Sequence, residues 1–417
     1  MNPFQFLHGE LHAEGVALSR LGTQFGTPLY VYSYSTLIGH YLKLKEAFRG
    51  VNPLICYSVK ANSNLAILKS LVDRGAGLDI VSGGELFRAI KAGCPPKRIV
   101  YASVGKTDGE IRVSIRRGIL FFNAESLAEL DNINRIAKIF GKVVKVAIRI
   151  NPDVEPKTHK FITTGKITNK FGIDLATAAK IFTFRKNFSN LNICGIHIHI
   201  GSQITESAPY VAAILKVTDF IKKLTKQHIK LEYLNIGGGL GIIYDKENPQ
   251  TAERFADRVV PLLKKTGLKI ILEPGRFIVG PAGILVTKAL YVKTTPFKKF
   301  VIVDAGMNDL IRPALYEAYH QLLPLDEVKS AEKEVVDVVG PICESSDYLA
   351  KERLMPKINA GDCLAVMGAG AYGFSMASNY NSRRRPAEVL VKGNRAFLIR
   401  KRESFIDLIR DEKIVKL

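Results

Sequence analysis

The sequence contains no tryptophan, and its five cysteines, Cys56, Cys94, Cys194, Cys343 and Cys363, are odd in number and far apart. Without a CxxC pair there is no zinc or redox-dithiol signature, so no metal site is expected and the expected compartment is the reducing cytoplasm. No stretch approaches 18 uninterrupted apolar residues, which argues against a membrane-spanning helix. The opening MNPFQFLHGELHAEG carries acidic residues and lacks the apolar core of a secretory signal. Like charges never run to five or six in a row. The net charge of +21 is instead spread along the chain, and its densest cluster, Arg383–Arg385, is short. This pattern suits a dispersed basic surface that attracts acidic small molecules better than a nucleic-acid-binding tail, so no nucleic-acid partner is expected.

The 417 residues are 47% apolar and 24% charged, enough for about two domains with sizeable cores. Short apolar runs recur at Leu54–Val59, Leu78–Val81, Arg98–Ala102, Ile119–Phe122, Val143–Ile150, Cys194–Ile200, Tyr233–Ile236 and Lys269–Leu272. Segments with helical spacing lie between them, among them Asn64–Gly75, Glu85–Gly93, Glu125–Phe140, Leu175–Arg185, Tyr210–His228 and Thr251–Thr266. Eight strands alternating with helices predict an α/β fold of the (β/α)8 TIM-barrel type over residues 33–280, with an open doubly wound sheet as the rival. Past Pro281 the helical rhythm gives way to β-rich runs such as GILVTKALYVKTT, KKFVIVDAG and AEVLVKGNRAFLIR, punctuated by Gly and Pro. Residues 1–32 have the same texture. Together with 281–417 they are expected to form a discontinuous all-β domain.

In such a barrel, chemistry belongs to the C-terminal ends of the strands. Lys60 ends the first strand, in LICYSVKAN, and Asp79 lies within the second. Arg149 is near the end of the fifth. His197 and His199 alternate along the sixth and share a face. The seventh ends in Gly237–Gly239 and the eighth in Glu273-Pro274-Gly275-Arg276. The last two loops are where this fold commonly builds a phosphate site from bare backbone N–H groups and a guanidinium. A lysine facing a phosphate cup, with a ring-stacking His199 and an acid at Glu273, matches what pyridoxal 5'-phosphate requires. A sugar-phosphate aldolase also uses a barrel lysine, but needs neither the acid nor a β domain.

The motifs YSVKAN, GIHIHIGSQ, NIGGGLG, EPGR, GPICESSD, GAYGFSMASNYN and THKFITTGKITNKFGI occur in this order. With them the chain closely resembles the diaminopimelate decarboxylase family, whose fold is that of the fold-type III (alanine racemase-like) pyridoxal phosphate enzymes. The resemblance spans nearly the whole chain. It implies that Lys60 carries the cofactor as a Schiff base and that His199 lies against its ring. Ser202, Gly238 and Gly239 would lie near the phosphate, Glu273 would keep the pyridine nitrogen protonated, and Pro274, Gly275, Arg276 and Tyr372 would complete the cofactor contacts. Arg276, Arg312, Tyr316, Glu344 and Tyr372 would bind substrate. Cys343 and Glu344 would enter the neighbouring subunit's site, making the active unit a homodimer. Carbanion protonation would fall to Cys343 or to released Lys60.

The activity so implied is decarboxylation of meso-2,6-diaminopimelate to L-lysine and carbon dioxide, the last step of lysine biosynthesis. The alternatives are a decarboxylase of the ornithine or arginine type, a fold-type III racemase, and a non-catalytic pyridoxal phosphate-binding protein. Glu344, directly after Cys343, suits the distal ammonium of diaminopimelate, and Arg276 and Arg312 suit its distal carboxylate. One departure from the family pattern is Arg384 in NSRRRPAEV, where a proline is expected; its loss should loosen the local turn.

Overall fold

In a computed structural model that describes residues 4–155, 170–327 and 332–417, the chain divides into two compact units. One comprises Ile38–Ile243 and Glu247–Ile278, the other Met1–Leu37, Tyr244–Lys246 and Val279–Leu417. The strands, numbered along the chain, begin with β1 (Phe4–Leu7), β2 (Glu10–Ala13), β3 (Val16–Ala17) and β4 (Leu29–Ser33). The barrel unit follows.

Its strands are β5 (Leu54–Ser58), β6 (Gly77–Ile80), β7 (Ile99–Tyr101), β8 (Phe121–Ala124), β9 (Val144–Arg149), β10 (Leu191–His197), β11 (Tyr233–Asn235) and β12 (Lys269–Leu272). All eight are parallel to their neighbours, and the ring closes where β12 pairs with β5 through Ile271↔Leu54 and Leu272↔Ile55. Buried on both faces, these strands read as near-continuous apolar runs. Cys56, Val100, Phe121, Ala147 and Ile271 pack together as a buried cluster. The crossover helices start on side-chain caps: Ser82 accepts from the Glu85 N–H, Ser126 from Glu129 and Thr251 from Arg254. Thr107 and Glu110 form a reciprocal capping box before Asp108–Arg117. That helix, like Tyr34–Ala47, adds to those expected from spacing.

The remaining strands are β13 (Gly283–Thr294), β14 (Lys299–Val303), β15 (Leu322–Pro324), β16 (Lys333–Val339), β17 (Tyr348–Pro356), β18 (Cys363–Val366), β19 (Ala387–Lys392) and β20 (Arg395–Arg400). They form a nine-stranded sheet in the order β17-β16-β14-β13-β4-β19-β20, with β18 pairing β13 and β15. The N-terminal β4 lies inside this sheet, antiparallel to β13 and parallel to β19. A three-stranded sheet, β1-β2-β3, belongs to the same unit, and Phe4, Leu11, Leu18, Leu29, Val31, Ile284 and Val389 share its core. Arg384, the departure noted above, lays its guanidinium 4.5 Å from the Phe405 ring centre.

Candidate active site

The barrel's C-terminal rim gathers a continuous polar cluster. Lys60 does not end β5 itself: the strand stops at Ser58, and Lys60 sits in a single 3-10 turn, Val59–Ala61. Its Nζ donates to Asp79 Oδ2 at 3.1 Å, with the lysine 38% and the aspartate 1% exposed. Ser58 Oγ also reaches Asp79 Oδ2 (2.7 Å) and the Glu273 carbonyl (3.0 Å), linking β5, β6 and β12. Burial, then the nearby Glu273 charge, pushes the Asp79 carboxyl above its usual range, and Lys60 opposes that rise. Glu85, which accepts from the Val81 N–H, is pushed by burial to about 7.

Glu273 is buried and held from three sides. His197 Nε2 donates to its Oε2 at 3.1 Å, and Asn235 Nδ2 (2.5 Å) and Asn123 Nδ2 (3.3 Å) donate to its Oε1. Burial alone would raise its pKa, but His197, Lys60 and Asn235 together hold it down to about 2. The group is a carboxylate at any working pH. Asn235 has a second task, since its Oδ1 accepts from the Gly237 N–H at 2.9 Å and so fixes the start of the glycine turn relative to Glu273. His199 is half-buried, and desolvation followed by Arg149 and Lys60 holds it well below the ordinary histidine value, so its ring is neutral. Its Nδ1 accepts from the Gly238 N–H at 3.2 Å.

The glycine turn is a close-packed backbone surface. A Cβ on Gly238 would fall 2.0 Å from the Glu273 carbonyl oxygen, and one on Gly239 2.3 Å from that of Gly201. Gly275 has a little more room, with Ala61 Cβ and Ser58 Cβ 3.0 and 3.1 Å from where its own Cβ would lie. The Pro274 carbonyl accepts from the Ser58 N–H at 3.0 Å, closing the rim between β12 and β5. Arg276 is buried, with Nη2 donating to Ser202 Oγ at 3.1 Å. A lysine amine, a neutral imidazole, a permanent carboxylate and a bare glycine backbone beside a serine and an arginine form a donor set that fits pyridoxal phosphate.

The rim thus brings together Lys60, His199, Ser202, Gly238, Gly239, Glu273, Pro274, Gly275 and Arg276. Asp79 and His197 stand out in the sequence by position, but their pairing with Lys60 and Glu273, and the part played by Asn123 and Asn235, emerge only from the structure. Arg149 is turned to Glu125, donating at 2.9 and 3.0 Å to its two oxygens. THKFITTGKITNKFGI falls largely on residues 156–169, outside the described residues.

The remaining candidates lie in the β-rich unit. Arg312 begins the short helix Arg312–Tyr316 and is buried, whereas Tyr316 is half-buried. Tyr372 has φ 58°, in a region that bulky residues seldom adopt. Its neighbours Gly370 and Gly373 are hemmed in, at 1.9 Å from the Val279 carbonyl and 2.4 Å from that of Ala369 for a Cβ. Strain of this kind concentrates at functional loops. Cys343 and Glu344 are exposed, on a turn that Asp347 organises by accepting from the Met307 and Ile342 N–H groups, each at 2.6 Å. Glu344 accepts from Ser346 Oγ (2.7 Å) and Tyr380 OH (2.8 Å), which lower its pKa and aim its carboxylate.

Comparison with known proteins agrees with this chemistry. Residues 35–280 match the family described as "Pyridoxal-dependent decarboxylase, pyridoxal binding domain". The chain is 50% identical to a diaminopimelate decarboxylase of Aquifex aeolicus, over 97% of this chain and 96% of that protein. Its fold is similar to that of the M. jannaschii diaminopimelate decarboxylase in complex with L-lysine, with TM-score 0.94, 41% identity and coverage of 99% and 98%. The Helicobacter pylori enzyme, also complexed with L-lysine, gives TM-score 0.90 and 42% identity, covering 94% of this chain and 98% of that one. The chain therefore belongs to the diaminopimelate decarboxylases, a pyridoxal phosphate-dependent family of fold type III.

Proposed function

We propose that the chain removes carbon dioxide from the D-configured end of meso-2,6-diaminopimelate and releases L-lysine, the last step of lysine biosynthesis. The observation that carries this reading is the buried Glu273, held by His197, Asn235 and Asn123 on the same barrel rim as Lys60. The product bound in the M. jannaschii and H. pylori relatives supports it.

When bound, pyridoxal phosphate supplies an electron sink for the pair left as the bond to the departing carboxylate breaks. Lys60 anchors the cofactor through Nζ, and Asp79 steers that amine and keeps a proton within its reach. Glu273, its charge maintained by His197 and the two asparagines, holds a proton at the ring nitrogen. That proton is what makes the sink deep. His199 presents a neutral ring face, and the Gly237–Gly239 backbone, Ser202, Gly275 and Arg276 hold the phosphate. Arg312 and Tyr316 take a substrate carboxylate, Glu344 the distal ammonium, and Tyr372 touches both ligands. The carbon that has lost carbon dioxide then receives a proton from Cys343 Sγ or Lys60 Nζ. The β-rich segments 1–32 and 281–417 contribute to the substrate site and to a homodimer with shared sites, located in the cytoplasm. No described helix is long and apolar enough to cross a membrane.

Competing substrates test the reading. A site built for a second carboxylate leaves the buried Arg312 charge unpaired when that carboxylate is missing, as it is in ornithine and arginine. The holoenzyme should turn over meso-diaminopimelate with kcat/KM at least about 10³-fold above that for ornithine or arginine. Equal or reversed preference would assign the chain to the other basic amino acids.

A further inference from the structure

The β-rich unit contains a buried histidine that the proposed chemistry does not use. His320 is fully buried, eight residues after Arg312, in the turn that leads into β15. Its Nδ1 is 2.8 Å from the Met367 carbonyl oxygen, just past β18. A carbonyl only accepts, so Nδ1 carries the hydrogen. In the neutral ring Nε2 then presents a lone pair, and the atom it faces is Arg312 Nη1, at 2.8 Å. A guanidinium only donates, so the pairing has one consistent direction, from Arg312 to His320.

The backbone beneath the ring is fixed as well. Arg353 Nη1 donates to the His320 carbonyl at 3.0 Å, and the Met367 N–H donates to that of Gln321 at 2.8 Å. The Arg312 guanidinium carbon lies 4.5 Å from the ring centre of Tyr244, and that ring meets His320 edge-on, at 5.3 Å and 76°. Tyr244 belongs to the three-residue segment Tyr244–Lys246 that is part of this unit. Tyr244 therefore packs against the guanidinium and His320 holds its Nη1 end. Bidentate pairing with a carboxylate depends on how the guanidinium is oriented, because the fork is rigid and an error of 10–20° breaks one of the two bonds.

We infer that His320 is a positioning residue that, with Tyr244, orients the Arg312 guanidinium for a substrate carboxylate. The inference rests on the carboxylate-binding role proposed for Arg312.

The test is the split between KM and kcat in the holoenzyme with meso-diaminopimelate. His320→Asn can keep the donor toward Met367 but has no acceptor at the Nε2 position. It should raise KM about tenfold or more and leave kcat within about threefold. His320→Gln keeps an acceptor there and should recover most of the loss. Adding His320→Asn to Arg312→Lys should cost little beyond Arg312→Lys alone, because both changes disable one contact. Should His320→Asn be recovered without bound cofactor, Tyr244→Leu carries the same expectation on KM. The inference is overturned if Arg312→Lys raises KM while His320→Asn and Tyr244→Leu do not. It is equally overturned if Asn and Gln behave alike or if the double variant is multiplicative. If Arg312→Lys itself leaves KM unchanged, the role of Arg312 is what fails, and the inference falls with it.

Discussion

Glu273 illustrates how a single residue's charge state is set by neighbours remote in sequence. A fully buried carboxylate ordinarily rises in pKa, yet His197, Lys60 and Asn235 bring this one down to about 2. Depressed in this way, it stays charged at every pH above that value and loses its charge only as pH falls through it. It should therefore add no acidic limb to the pH–rate profile. Glu273→Gln keeps the shape and the acceptor for Asn235 but loses the charge proposed to hold a proton on the ring nitrogen. The variant should bind cofactor with its visible absorbance intact and lose at least about 10²-fold in kcat. Lys60→Ala should lose that absorbance altogether; a retained band would show that another lysine anchors the cofactor. Much of this was legible in the chain. Lys60, His199 and Glu273 stand out because each interrupts or ends an apolar run. Asn123 and Asn235 did not, since a lone asparagine beside a strand end reads as an ordinary turn residue, and only strand closure shows that both aim at Glu273.

Among the elements, the barrel strands were the easiest to read. Burial on both faces gives each a compact apolar run with a clear edge, and all eight occur near their expected positions. β17 is hidden in the sequence: Lys351, Glu352 and Arg353 interrupt its pattern at a β-bulge, where Glu352 takes φ 48° and the pairing with β16 shifts register between Val336 and Val338. The helix Asp108–Arg117 was also obscured, since its sequence DGEIRVSIRR buries only Ile111, Ser114 and Ile115. Its start is set by the Thr107 capping box and its end by Gly118 in the left-handed region. The turn from β6 into helix Gly83–Lys91 yields a pH prediction. Glu85 is raised from 4.5 to about 7 by burial. Between those values the folded chain keeps a proton that the unfolded chain releases, so stability from this group is present at low pH and falls as pH rises through the window. The full effect is about 3 kcal/mol at most. Denaturant midpoints for the wild type should fall relative to Glu85→Gln as pH rises from about 4.5 to about 7. Parallel curves for the two proteins would contradict this assignment.

At the scale of the molecule, the two-part organisation followed from where the helical rhythm stops, near Pro281. That β4 lies inside the C-terminal sheet required three-dimensional pairing, because a five-residue strand carries no record of a partner some 250 residues away. The net charge of +21 is more than decarboxylation of a zwitterion demands. It does suit capture of an anionic cofactor by a basic surface.

The central claim is that this chain acts at one particular end of one particular diamino acid. The most direct measurement is to supply the holoenzyme with meso-diaminopimelate labelled with carbon-13 only in the carboxylate of its D-configured centre, and to follow gas and product together. The account predicts labelled carbon dioxide and unlabelled L-lysine in equal amounts. Label retained in the lysine, or no carbon dioxide from protein with cofactor bound, would contradict it.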